Sequence, residues 1–256
     1  HPVAHSFPTR RSSDLTLFKK EISGFFSTLT GYIVIVVFLL VNSLFMWIFP
    51  GNNNVLDGGY ATLDPLFTLA PWVFLFLAPA VTMRMFADEK RTGTIELLLT
   101  RPLSDFQIIL AKYLAALILV LFALLPTLIY FYSVYQLGNP VGNIDTGGTW
   151  GSYIGLFFLA AIYVSIGVLS SSITDNQIVA FIIGMLLCFI VYLGFDFLSE
   201  LTIFNSVDSF IVNLGINEHY KSMSRGVLDS RDIIYFVSVI AFFLLITKTI
   251  LQSRKW

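Results

Sequence analysis

Charge is the scarcest property of this chain: only 12% of its 256 residues are Asp, Glu, Lys or Arg, with 16 acids against 15 bases and a net charge of −1. That balance gives no basic surface, and nucleic acid is not among the expected partners. A single cysteine, Cys188, excludes an internal disulfide, and a small apolar packing role is the expectation for it. Three histidines, His1, His5 and His219, are too few and too scattered to make a zinc site. No G-x-x-x-x-G-K-[ST], H-E-x-x-H or G-x-S-x-G occurs. The chain is therefore not expected to hydrolyse ATP through a P-loop, nor to be an enzyme; no catalytic, metal or cofactor-binding residue is assigned.

What is abundant is apolar surface. A hydrophobic fraction of 56%, 25 Phe and a mean hydropathy of +0.81 exceed what a soluble core of this size requires. A helix rising 1.5 Å per residue needs about 20 apolar residues to cross the hydrocarbon core. Six runs qualify, at about 31–49, 65–83, 108–132, 150–169, 178–197 and 233–247. The expected fold class is an all-α membrane protein with six transmembrane helices.

Six spans place both ends on one side. That side collects Lys19, Lys20, Arg84, Lys90, Arg91, Arg101, Lys112, Lys248, Arg254 and Lys255, against Lys221, Arg225 and Arg231 opposite. Basic residues mark the cytoplasmic side, so both termini are expected in the cytoplasm, in a bacterial inner membrane. Arg10 and Arg11 are left out of this count. The opening "HPVAHSFPTRRSSDL" resembles translated adaptor sequence and changes abruptly in composition at Thr16. Residues 1–15 are set aside as a non-native leader, and 16–256 are read as one domain.

After it, Phe18, Ile22, Phe25 and Phe26 recur at helical spacing with Lys19, Lys20 and Glu21 assigned to the other face. Two readings stand: a helix lying in the membrane interface, or a simple extension of the first span. Within the spans, Arg84, Lys112 and Asp196 are expected near ends, where they can reach water. Asn42 is the most interior strongly polar residue, and a hydrogen bond between helices is expected of it. Gly151 and Gly155, with Gly184 and Gly194, suit close helix packing, and Pro71, Pro79 and Pro126 should kink their helices. The stretch from Ser199 to Asp232 suits one or two short helices dipping into the outer leaflet.

One charged stretch interrupts the apolar pattern. In "MRMFADEKRTGTIELLLTRPLSDF", Asp88 to Arg91 are expected to leave the second span in water. Thr92, Gly93 and Thr94 can start a short helix, and Pro102 ends it. Ser104 with Gln107 three residues on forms a capping box that opens the third span. The leucines of "IELLLT" either bury against headgroups and the bundle or dock into a groove on a cytoplasmic partner.

"DEKRTGTIELLLTRPLS" resembles the signature of type 2 ABC transporter (ABC-2) permeases. There an acidic residue, a Gly-Thr-x-Glu-Leu-Leu core and a proline form a coupling helix that contacts a separate ATPase subunit. The resemblance implies Glu89, Gly93, Thr94, Glu96, Leu97, Leu98 and Pro102 as contact residues. "YQLGNPVGNIDTGGTWGSYIGLFFLAAIYVSIG", "NQIVAFI" and "HYKSMSRGVLDSRDIIYF" are similar to the gliding-motility-associated permease, the F subunit of that system. This resemblance implies an ABC ATPase holding ATP and Mg, a second permease copy, partner permease or auxiliary gliding subunit, and membrane lipids around them. It also implies that spans one, two and five rearrange at the pathway. Two alternatives belong to other classes: a membrane scaffold for gliding or secretion machinery, and an ion-coupled carrier. The carrier is disfavoured by spans nearly free of charge and by the lack of an inverted repeat.

Overall fold

A computed structural model describes residues 10–95, 104–199 and 212–253, with side chains from Thr16 onward. All regular elements among the described residues are helical. In chain order they are α1 (Arg10–Phe26), α2 (Leu29–Ser43, continued by a π turn Leu44–Ile48), α3 (Val55–Gly58), α4 (Asp64–Thr82), α5 (Arg84–Arg91) and α6 (Asp105–Leu124). After a 3-10 turn at Leu125–Thr127 follow α7 (Leu128–Leu137), α8 (Thr146–Ile173), α9 (Gln177–Ser199), α10 (Ile216–Ser224) and α11 (Ser230–Ser253). Among the described residues, six helical stretches are long and apolar enough to span a membrane: α2 with its π turn, α4 with α5, α6 with α7, α8, α9 and α11.

The helix ends follow their local chemistry. Ser104 accepts from the Gln107 amide at 3.3 Å while Gln107 Oε1 accepts from the Ser104 amide at 2.9 Å, the expected capping box. Asp145 caps α8 by accepting from the Gly148 amide at 2.9 Å. Pro126 interrupts its span as expected, by forcing the tight turn between α6 and α7. Pro71 and Pro79 lie inside α4, which runs helical through both.

The axis of the bundle is α8. Of its most apolar stretch 83% is buried, against 22% for α9 and for α11. It touches α4, α5, α6, α9, α10 and α11. Its sequence explains this, because Gly151, Gly155, Ala160, Ala161, Gly167 and Ser170 leave room for neighbours to approach closely. Ser165, Ser170 and Ser172 satisfy their hydroxyls on their own helix, each donating to the carbonyl three residues earlier. The outer ring, α2, α9 and α11, leaves apolar side chains such as Ile33, Val36, Ile182, Leu186, Val237 and Leu245 exposed.

Three expectations are corrected. First, α1 does not simply extend the first span. Thr28 is extended (φ −109°, ψ 153°), and a β-carbon on Gly31 would stand 2.6 Å from the Phe25 carbonyl oxygen, so the chain turns sharply there. Secondly, Asn42 makes no bond between helices. Its Nδ2 donates to Phe38 O of its own helix at 2.7 Å, and its buried Oδ1 has no partner among the described residues. Thirdly, Glu21 belongs to the inward face of α1, one helical repeat from buried Leu17 and from Phe25.

Candidate functional site

The end of the bundle where α4 passes into α5 is organised around α5. Only a single residue, Met83, separates α5 from α4, and its Met85, Phe86 and Ala87 are buried. Ser171, near the end of α8, fixes this junction with one hydroxyl. It accepts from the amides of Phe86 at 2.9 Å and Ala87 at 3.2 Å, and donates to Met83 O at 3.0 Å. Those amides belong to the first turn of α5, where no carbonyl of the same helix can take them. Further along α5, Lys90 Nζ donates to Ser172 O, and Asp88 accepts from the Gln177 side chain at the start of α9. The expectation that residues 88–91 simply enter water therefore holds best for Arg91, which remains exposed while pairing with Asp88 at 3.3 Å.

On the opposite flank of α5 lies a buried ion triad. Lys112 Nζ stands 3.1 Å from Glu21 Oε1 and 2.8 Å from Glu89 Oε1, with its side chain 1% exposed. The ammonium also lies 5.2 Å from the centre of the Phe86 ring. This corrects the expectation that Lys112 reaches water at a span end. It sits about two turns into α6, and α1 and α5 close over it with a carboxylate each. Such a cation is tolerable out of water only because it is paired. Beside the triad a crevice of about 300 Å³ is lined by Lys20, Thr28, Thr30, Arg84 and Asp88, and Arg84 donates to Thr30 Oγ1 at 3.1 Å.

The expected contact residues divide three ways. Glu89 turns inward, bound to Lys112, and its second oxygen is buried without a partner. Gly93 adopts φ +70° and ends α5, its amide donating to Lys90 O at 3.2 Å; the left-handed turn is why glycine suits this position. Thr94 is exposed and, with Ile95, helical again after that turn. Glu96, Leu97, Leu98 and Pro102 lie outside the described residues. Ile95 and Lys90 share a hollow of about 480 Å³ with Ile173, Thr174 and Asp175, so the exit from α5 and the turn between α8 and α9 face the same space.

The sequence model of the family described as "ABC-2 family transporter protein" matches residues 15–247. The chain belongs to the ABC-2 family. It is thereby a multi-pass membrane protein. A protein of Bacillus subtilis (strain 168), "Uncharacterized protein YhcI", is 35% identical over 109 residues, or 43% of this chain and 32% of that protein. The chain thus spans about a third of that relative's length.

The far end of this ABC-2 chain is built differently. There α10 sits on α8 with almost nothing between the backbones. A β-carbon on Gly151 would stand 2.7 Å from Gly226 Cα, and one on Gly155 would stand 2.7 Å from Met223 Cβ. The paired glycines therefore do pack closely, against α10 and its following turn rather than another span. Ser152 donates to Ser224 O at 2.8 Å, and the buried Tyr220 hydroxyl donates to Phe67 O at 2.6 Å. Burial, with a smaller contribution from Tyr192, pushes that phenol well above its ordinary pKa, so it stays a neutral donor. His219 bridges Asp232 (2.7 Å) and Asn213 O (2.9 Å) while stacking on Tyr235. Asp196 accepts from Asn217 and lies 3.8 Å from Lys221, so that carboxylate is paired rather than merely wet.

Sequence reasoning missed Lys112 and Glu21 as partners. The available signal was Glu21 itself, an acid placed at i+4 from Leu17 and i−4 from Phe25 on the apolar stripe.

Proposed function

We propose that this chain is the transmembrane subunit of an ATP-driven exporter associated with gliding motility. In this reading a separate ATPase, carrying its own ATP and Mg, docks on the end that holds α5, and that end faces the cytoplasm. The segment from Glu89 through Pro102 is the coupling element. ATP binding closes the partner, presses on this segment and moves α5. Since α5 is fixed to α8 through Ser171, its displacement reaches the axis of the bundle rather than a loose loop. A second copy, or a partner permease, completes the pathway. The exposed apolar sides of α2 and α9 are the surfaces available for it and for lipid.

The observation that carries this reading is the exit from α5. A charged helix bolted to the most buried span ends at a left-handed glycine, after which Thr94 is exposed and half-buried Ile95 lines the hollow beside the α8–α9 turn. The experiment is purification of the tagged chain in nanodiscs, with mass spectrometry of the proteins that accompany it, repeated for Leu97→Asp. The expected result is a P-loop ATPase that accompanies the unaltered chain and is lost from Leu97→Asp. An ATPase retained in both, or absent from both, contradicts the assignment.

A further inference from the structure

The triad on Lys112 goes beyond docking. Three separate elements meet at one ammonium: α1 through Glu21, α5 through Glu89 and α6 through Lys112 itself. The site is largely shielded from solvent, with the Lys112 side chain 1% exposed and the two carboxylates 14% and 16%. A second polar tie runs parallel to it, from Arg84 of α5 to Thr30 at the start of α2. The sharp turn at Thr28 separates α1 from α2, so α1 is not carried rigidly by its own span. It is held by packing on α6 and on α2, and this shared cation is what ties it to α5.

The triad is also unbalanced. Two carboxylates face one ammonium, and Glu89 keeps one buried oxygen with no partner. Apolar packing alone would not select such an arrangement, because a buried pair is rarely better for stability than apolar residues of the same volume. What a buried ion contact supplies is register, since it is satisfied in one arrangement and costly in others.

We infer that Lys112 is a positioning residue that makes α1 move with α5, so that the N-terminal helix belongs to the unit displaced by the ATPase. This rests on the proposed docking of an ATPase on the α5 end. The first measurement is independent of that docking. Spin labels at Lys19→Cys and Thr92→Cys, both exposed positions, report the α1–α5 distance in nanodiscs, in a Cys188→Ala background. Labels at Thr92→Cys and Asp175→Cys report α5 against α8, which Ser171 holds without the triad. The charge-free, volume-conserving variant Lys112→Met/Glu21→Gln/Glu89→Gln avoids unpaired buried charges, so it is expected to fold.

The expected result is loss of the narrow α1–α5 distribution in that variant, retention of it in Lys112→Arg, and an unchanged α5–α8 distribution in both. An α1–α5 distribution as narrow as that of the unaltered chain overturns the inference, because α1 would then be held by packing alone. In the complex with the ATPase, a nonhydrolysable ATP analogue should shift Lys19 and Thr92 labels together relative to Asp175. In the triple variant it should shift only Thr92. If both labels still shift together there, the inference is again overturned. If Thr92 fails to shift in the unaltered complex, the docking assignment fails, and the nucleotide-free distances still decide the role of Lys112.

Discussion

At one end α8 holds its neighbour through side-chain chemistry, and at the other mainly through the absence of side chains, with a single hydrogen bond from Ser152 to Ser224 O beside the glycines. Near Ile173, α5 is kept in place by the Ser171 hydroxyl and Lys90, and beyond it by the Lys112 triad. Near Thr146, α10 is kept in place by Gly151, Gly155 and Gly226, with backbones in direct approach. Hydrogen bonds and ion contacts can be exchanged for others when a partner pushes. A glycine seat has no alternative arrangement to move into. On the proposed docking at α5, the polar end is the one suited to receive motion and the glycine end the one suited to resist it.

The largest expected effect breaks the polar end. Lys112→Met leaves two largely shielded carboxylates without their cation, which should cost about 3 kcal/mol, read as a lowered thermal midpoint in nanodiscs. Most of that loss should return when Glu21→Gln and Glu89→Gln are added. The next breaks the glycine seat. Gly226 has φ +82° and its β-carbon would fall on Gly148, so Gly226→Ala should cost about 2–3 kcal/mol through strain and overpacking. Here no companion substitution of a charged residue should help, which sharpens the contrast between the ends.

Ser171→Ala removes the acceptor for two buried amides and should cost about 1–3 kcal/mol. Its more specific signature is faster hydrogen exchange at Phe86 and Ala87 with exchange in α10 unchanged. Tyr220→Phe removes one buried hydrogen bond to Phe67 O, worth about 1 kcal/mol. Because the native phenol is already held neutral, that small loss should be the same at pH 7 and pH 9, which parallel unfolding curves would check.

Much of the architecture was legible because it depends on local pattern. Apolar runs longer than a soluble core allows mark the spans, Ser104 and Gln107 mark the start of α6, and Pro126 marks its break. The family signature, too, sits in one uninterrupted stretch. What stayed hidden depends on pairing across the fold. Lys112 looks like one more basic residue near a span end until α1 and α5 bring Glu21 and Glu89 over it. The glycines at 151 and 155 announce close approach but not their partner, which is α10 and not another span. Glu89 shows the same limit: the signature places it on the coupling segment, while its side chain points into the bundle.

The most direct test uses the two ends as each other's control. A photo-crosslinking residue is placed at Thr94 on the α5 end, or at Val227 on the α10 end, both exposed. Irradiation of native membranes is followed by identification of the captured proteins. The expected result is that a P-loop ATPase is captured from Thr94 and not from Val227. Capture from Val227, or from neither position, would contradict it.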